Sequence, residues 1–183
     1  DVPGNTLTLT IDRDLQEASR LREGLRWAMG AQSWPRVLSL VDRVMAAGPD
    51  DATRREAFEA KAVALDALGR ADEAYAAYNE VPAEDHLATR AALALKLARY
   101  DESARLFGEL LQARPDDVEV ARNLALSLEQ TGRLSQAIDA YRTALKVKED
   151  AELRLLIVSL LNGTRAHDDA WEMLATFPMP SKD

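Results

Sequence analysis

Residues 118–149 read VEVARNLALSLEQTGRLSQAIDAYRTALKVKE, and this stretch decides the architecture. Its first half places Ala121, Leu124, Ala125 and Leu128 at helical spacing, one apolar stripe on one helix face. Thr131-Gly132 stops that helix, with Gly132 where a left-handed C-cap residue belongs. A second helix then carries a small residue, Ala137, an aromatic four positions later, Tyr141, and an apolar residue three beyond it, Ala144. A helix–turn–helix of this size cannot bury its apolar face alone, so its stable form is a stack with neighbours.

The same figure recurs on both sides. Upstream it is Ser103, Phe107 and Leu110, closed by Pro115; then Ala74, Tyr78 and Val81; then Val37, Val41 and Val44, closed by Pro49. Downstream it is Ala170, Leu174 and Phe177. The anchors Val37, Ala74, Ser103, Ala137 and Ala170 are spaced by 37, 29, 34 and 33 residues. An amphipathic segment precedes each anchor, clearest at Phe58, Ala62 and Leu65 before Gly69, and at Leu87, Ala91 and Ala94 before Arg99. Small anchors let two helices approach closely, and the large residue four later fills the space toward the next unit. The short 29-residue interval predicts a truncated helix near Val81-Pro82, with a local change of pitch. The extra residues before Arg55 predict a lengthened turn or helix start.

This pattern resembles the tetratricopeptide repeat family, whose unit is a helix–turn–helix of 34 residues. The resemblance covers about residues 15–177 and is best over 118–147. The family's small position 8 is Ala62, Ala91, Ala125 and Val158 here, with Leu25 a departure. Position 20 departs mildly at Val37, and Glu149 stands where Pro49 and Pro115 end other units. The resemblance implies an all-α, right-handed superhelical solenoid of about five repeats, with a short extended N-terminal arm. Its expected divisions are an arm or linker over 1–14, units at about 15–49, 52–82, 84–115, 118–149 and 150–177, and a tail over 178–183.

Composition narrows the function classes. The 183 residues include no cysteine, which removes thiolate chemistry, disulfides and sulfur-ligated zinc. There are 31 acids against 23 bases, a net charge of −8, so phosphate backbones and anionic lipid are poor partners. No apolar run is long enough for membrane insertion. His86 and His167 lie in different units, no glycine-rich phosphate loop is present, and the carboxylates fall on solvated helix faces. No catalytic residue, metal site or cofactor is therefore expected. Several local features have plain structural readings. Asp168 caps the last helix, Asn162-Gly163 forms the turn before it, and Trp171 and Met173 serve packing. Thr6-Leu7-Thr8-Leu9-Thr10-Ile11 alternates as a half-buried strand does, with Asp12 or Asp14 capping the helix that follows. It reads as an arm on the first helices or a linker, or as a strand added to a partner. The absence of an initial Met at Asp1 points to a processed product or an excised piece.

The family resemblance implies a concave groove lined by positions 2, 5, 9 and 12 of each first helix. Carried onto this chain, the map gives Arg22 and Arg26 in the first unit, and Glu56, Glu59 and Asp66 in the second. It gives small residues with adjacent Lys96 in the third, and Glu119, Arg122, Leu126 and Glu129 in the fourth. Ser19, Met29, Val63, Asp85, Ala88, Ala92 and Leu95 complete those four units; Glu152, Leu155, Ser159 and Asn162 extend the map into the fifth. The lining is basic, then acidic, then apolar, then mixed, which suits a protein segment carrying both charge signs. Arginine binds carboxylates bidentately in such settings. The two-carboxylate clamp of chaperone-binding members is incomplete, since position 9 reads Arg26, Val63, Ala92 and Leu126, with Asn123 alone matching at position 6.

The expected function is a non-enzymatic scaffold that binds a peptide or helix of a partner. Bacterial members of the family serve envelope, secretion and polysaccharide-export assemblies, and this Arg-rich, Lys-poor composition looks bacterial, in cytoplasm or periplasm. The alternative is an oligomerisation module of a larger protein. It would form a homo-oligomer through the apolar Leu153–Phe177 end or the N-terminal arm.

Overall fold

The computed structural model describes residues 3–82 and 86–176, with side chains described from Gln16 onward. The chain divides into two units, Asp1–His86 and Leu87–Asp183. The first holds α1 (Pro3–Gly30), α2 (Trp34–Ala46), α3 (Asp51–Ala67) and α4 (Ala71–Tyr78). The second holds α5 (Leu87–Lys96), α6 (Tyr100–Ala113), α7 (Val118–Gln130), α8 (Leu134–Val147), α9 (Ala151–Gly163) and α10 (His167–Ala175). No strand occurs among the described residues. Within each unit every helix packs on the next in sequence, the contact pattern of a helical-repeat stack.

One turn is repeated five times. Gln32, Gly69, Ala98, Gly132 and Arg165 have φ of 51°, 75°, 55°, 74° and 63°. At each, the left-handed residue donates its N–H to the carbonyl three back, as from Gly132 to Glu129, and the next residue donates to the carbonyl five back, as from Arg133 to Leu128. These paired bonds close the last turn of the first helix. The residue after the turn then starts the second helix, its carbonyl accepting from the buried anchor four later: Val37, Ala74, Ser103, Ala137 and Ala170. Glycine accepts this backbone at no steric cost, whereas an L-residue pays for it. Ala98→Gly is accordingly expected to raise the urea midpoint of the second unit, by about 1 kcal/mol of stability. An unchanged or lowered midpoint would contradict the left-handed assignment.

First helices start differently. Asp50, Asp117 and Asp150 are N-caps whose carboxylates accept from Thr53, Val120, and both Glu152 and Leu153 backbone N–H groups. Each such cap contributes about 1 kcal/mol. The second helices lack side-chain caps because the turn itself delivers them.

The core of the first unit joins Leu21, Leu25 and Ala28 of α1 to Val37, Val41 and Val44 of α2 and Ala57, Ala60 and Ala64 of α3. In the second, Ala121 and Ala125 of α7, Ile138 and Tyr141 of α8, and Leu153 and Ile157 of α9 share one cluster. Helix lengths follow the spacing irregularities. α4 has 8 residues against 14 in α6 and α8, and α3 has 17 against 13 in α7.

Five expectations are corrected. The extended arm over 1–14 is replaced by helix from Pro3 onward, continuous with α1. A lone strand has no partner for its backbone groups, whereas a helix satisfies them internally. Asp12 and Asp14 consequently lie inside α1 rather than capping it. Asn162-Gly163 ends α9, and the turn's left-handed residue is Arg165. Asp168 sits in the first turn of α10, whose N-cap is Ala166; its charge still favours a helix start. Trp171, expected to pack, is 73% exposed, while Met173 is half-buried against the core.

Candidate functional site

The first helices present a solvated face beside their buried seam. Leu25, Ala62, Ala91, Ala125 and Val158 are buried, whereas the next residues, Arg26, Val63, Ala92, Leu126 and Ser159, are half-buried or exposed. A single step along a helix rotates the side chain by ~100°, enough to move it from seam to solvent. None of the described residues on the groove map is buried; Asp85 lies outside the described residues.

In the first unit the mapped charges converge. Glu56 accepts from Arg26 Nε at 2.8 Å and Arg26 Nη2 at 3.4 Å, and from Arg22 Nη2 at 3.1 Å. Two arginines one turn apart on α1 thus clamp one carboxylate on α3. The Arg26 hydrogen bond, supported by Arg22, holds the Glu56 carboxyl below its ordinary range against the opposing effect of partial burial. The basic first zone and Glu56 of the acidic second zone are therefore one cluster, two guanidinium groups on one carboxylate. Beside it, a cleft of about 620 Å³ is lined by Ser19, Arg22 and Arg26 from α1, Pro49 from the loop, and Asp50 and Thr53 at the start of α3. Farther along α3, Glu59 lies 3.6 Å from His86 Nε2, whose ring packs on Tyr78 with centroids 5.1 Å apart. Burial, then Asp66 and Glu59, push the Tyr78 hydroxyl up.

In the second unit Arg122 donates to Asp150 Oδ2 at 3.0 Å. Asp150 was not on the map, although its spacing as the cap of the next first helix could have marked it. Its carboxyl is lowered by the backbone hydrogen bonds of the cap and by Arg122, so one side chain both starts α9 and orients Arg122. Glu129 accepts from the Tyr141 hydroxyl at 3.3 Å. Burial, then the Glu129 charge, pushes the Tyr141 hydroxyl up to about 12. Leu126 and Leu155 are 38% and 53% exposed at mapped positions of successive first helices. Lys96 and Glu119 are exposed at the end of α5 and the start of α7. This face offers apolar area next to an oriented guanidinium and a half-buried carboxylate.

Among the described residues, no three His, Asp or Glu side chains come together as a metal site, and no helix is long and apolar enough to cross a membrane.

Comparison with known proteins places these features. Residues 89–155 match the tetratricopeptide repeat family model. MamA 41-end from Desulfovibrio magneticus RS-1 is similar in fold, with a TM-score of 0.64 at 18% identity, over 86% of this chain and 91% of that one. MamA AMB-1 gives 0.67 at 17% identity, over 87% and 88%. At such identities the likeness concerns fold alone. Protein FlbA of Caulobacter vibrioides is 39% identical over 59 residues, and the aligned segment covers 10% of that protein's length.

Proposed function

We propose, from the match of residues 89–155 to the tetratricopeptide repeat family, that the chain is a scaffold holding a segment of a partner protein on the exposed faces of its first helices. One observation carries the reading: Leu126 and Leu155 are exposed at mapped positions of successive first helices, with Arg122 fixed alongside by Asp150. Leu126 stands one helical turn after Arg122 on α7, so apolar area and an oriented guanidinium share one helix face. The occupant is an amphipathic helix or extended peptide that covers the two leucines and places a carboxylate at Arg122. In the first unit the clamped Glu56 leaves the Arg22–Arg26 pair suited to a weaker, exchangeable acidic contact. The chain acts in a bacterial multiprotein assembly, of the envelope, secretion or polysaccharide-export kind, in cytoplasm or periplasm. The bacterial relative and the Arg-rich composition support that setting.

The test is affinity capture from the source organism, comparing wild type with Arg122→Glu/Leu126→Glu and with the control Leu68→Glu. Leu68 is exposed just beyond α3, off the mapped face. The expected result is a partner retained by wild type and control and reduced at least about tenfold by the double variant, a loss in line with two interface residues of about 1 kcal/mol or more each. Equal retention by all three would overturn the assignment.

A further inference from the structure

Both ends of the described repeats carry a tryptophan at a position that interior repeats bury. Trp27 lies five residues before the left-handed turn residue Gln32 and is 62% exposed. The residues in that register are Ala64, Leu93 and Ser127, at 0%, 3% and 0%, and half-buried Leu160. Trp171 lies six residues after Arg165; its counterparts are Tyr75, Ala104 and Ile138, at 4%, 5% and 4%, and half-buried Leu38. Leu174, 39% exposed, corresponds to Tyr78, Phe107 and Tyr141, at 4%, 3% and 4%. Within each unit the reason for interior burial is visible. Ala64 packs into the core formed with α1 and α2, and Ile138 and Tyr141 share a cluster with Leu153 and Ile157 of α9. The first position faces a preceding repeat and the second a following one.

We propose that these edges are complementary: the α10 face bearing Trp171 and Leu174 docks the α1 face bearing Trp27 of a second copy, head to tail. Charge selects this occupant. α10 carries Asp168, Asp169 and Glu172 with no Lys or Arg. The opposite edge places the Arg36 guanidinium 5.1 Å from the Trp27 ring centroid; its charges are Arg20, Arg36 and Arg43 against Glu17, which pairs with Arg43, and Glu23, a balance that stays basic. An α10-to-α10 pairing would instead bring like charges together. The interior stack pairs the same acidic position with a basic group one turn position away: the register of Arg133 is Ser33 on the α1–α2 edge, where Arg36, Arg20 and Arg43 line the cleft instead. Asp101, in the register of Asp168, accepts from Arg133 of the next repeat at 3.1 Å, and Gln136, in the register of Arg36, lines the same cleft as Asp101. The docked edges do not copy that interior contact in depth. Ser127 reaches Ser103 at 2.8 Å, whereas an indole cannot sink so far, so the two tryptophans fill a wider gap.

Such an interface is heterologous, so the 183-residue chain is expected to grow in mass beyond a dimer as concentration rises. Light scattering and sedimentation from about 1 µM to about 1 mM read this directly. Trp27→Ser and Trp171→Ser are each expected to remain monomeric, because each breaks one edge. Mixed together they are expected to form one-to-one dimers and nothing longer, since the mixture keeps one intact edge of each kind. Arg36→Glu is expected to weaken assembly about tenfold, as loss of a contributing charge contact does. Wild type that stays monomeric throughout overturns the proposal, as does self-association by Trp27→Ser alone or a mixture that does not associate while both variants keep wild-type circular dichroism and melting. Neither tryptophan lies on the mapped groove positions. Failure here therefore leaves the partner-binding proposal standing, and capture by Arg122 and Leu126 is expected to survive both substitutions.

Discussion

Tyr141→Ala is expected to lower the stability of the second unit by about 3–5 kcal/mol, the range for removing a buried aromatic ring. The ring is 4% exposed and shares one cluster with Leu153 and Ile157 of α9. Its loss leaves a gap between α8 and α9 that the stack cannot close, because the turn bonds and the Asp150 cap hold both helices in place. Packing rather than hydrogen bonding dominates this cost. The hydroxyl donates to Glu129 across 3.3 Å, and a bond to a charged acceptor contributes about 1.5–3 kcal/mol at good geometry, less at this length. Tyr141→Phe is therefore expected to cost less than half as much as Tyr141→Ala. Urea denaturation followed by circular dichroism compares the two, and similar losses for both would mean that the ring is not the keystone of the α8–α9 contact. The transition of the alanine variant is also expected to broaden, since repeat arrays lose cooperativity when one interface weakens.

Ala137→Leu is expected to cost about 1–3 kcal/mol by overpacking. Ala137 is fully buried in the first turn of α8 and clusters with Ala121 and Ala125 of α7. Alanines on both sides set the separation of the two helices. A leucine at this position can be accommodated only by spreading them, which strains the turn at Gly132. The neighbouring Gln136→Leu serves as the comparison. Gln136 is exposed, and a surface change of this kind usually stays within about 0.5 kcal/mol. Equal effects from adjacent positions would contradict the register that makes Ala137 the anchor. The other anchors need not be alanine: Val37 and Ser103 are also fully buried, and Ser103 turns its hydroxyl to Ser127 and to the Ala91 carbonyl.

The anchors at irregular spacing, a shortened helix before Val81-Pro82, and the left-handed glycines at 69 and 132 were legible from residue order, whereas the extra residues before Arg55 left a longer turn and a longer helix equally open until α3 took them up. These are local signals, each encoded within one turn or one amphipathic stripe. The same register placed the mapped residues on solvated faces, because a helix converts spacing directly into direction. Alternation in Thr6–Ile11 misled, since periodicity reports which face could be buried and not whether a strand has a partner; α1 runs through those residues instead. Gln32, Ala98 and Arg165 gave no hint of their positive φ. Backbone strain at an ordinary residue is imposed by the helices it joins, and nothing in the side chain announces it.

Sequence by itself determined the repeating unit, its turns and the direction of each side chain around its helix, because all three depend on neighbours within a few residues. Only the tertiary structure decided which side chains meet between helices. Arg22 and Arg26 converge on Glu56, Arg122 finds the cap of α9, and Glu129 receives the Tyr141 hydroxyl. It also decided which repeat positions lack a neighbour, leaving Trp27 and Trp171 in solvent where their counterparts are buried. Those outcomes depend on the separation and rotation of packed helices, quantities set by the sum of many contacts and carried by no single residue.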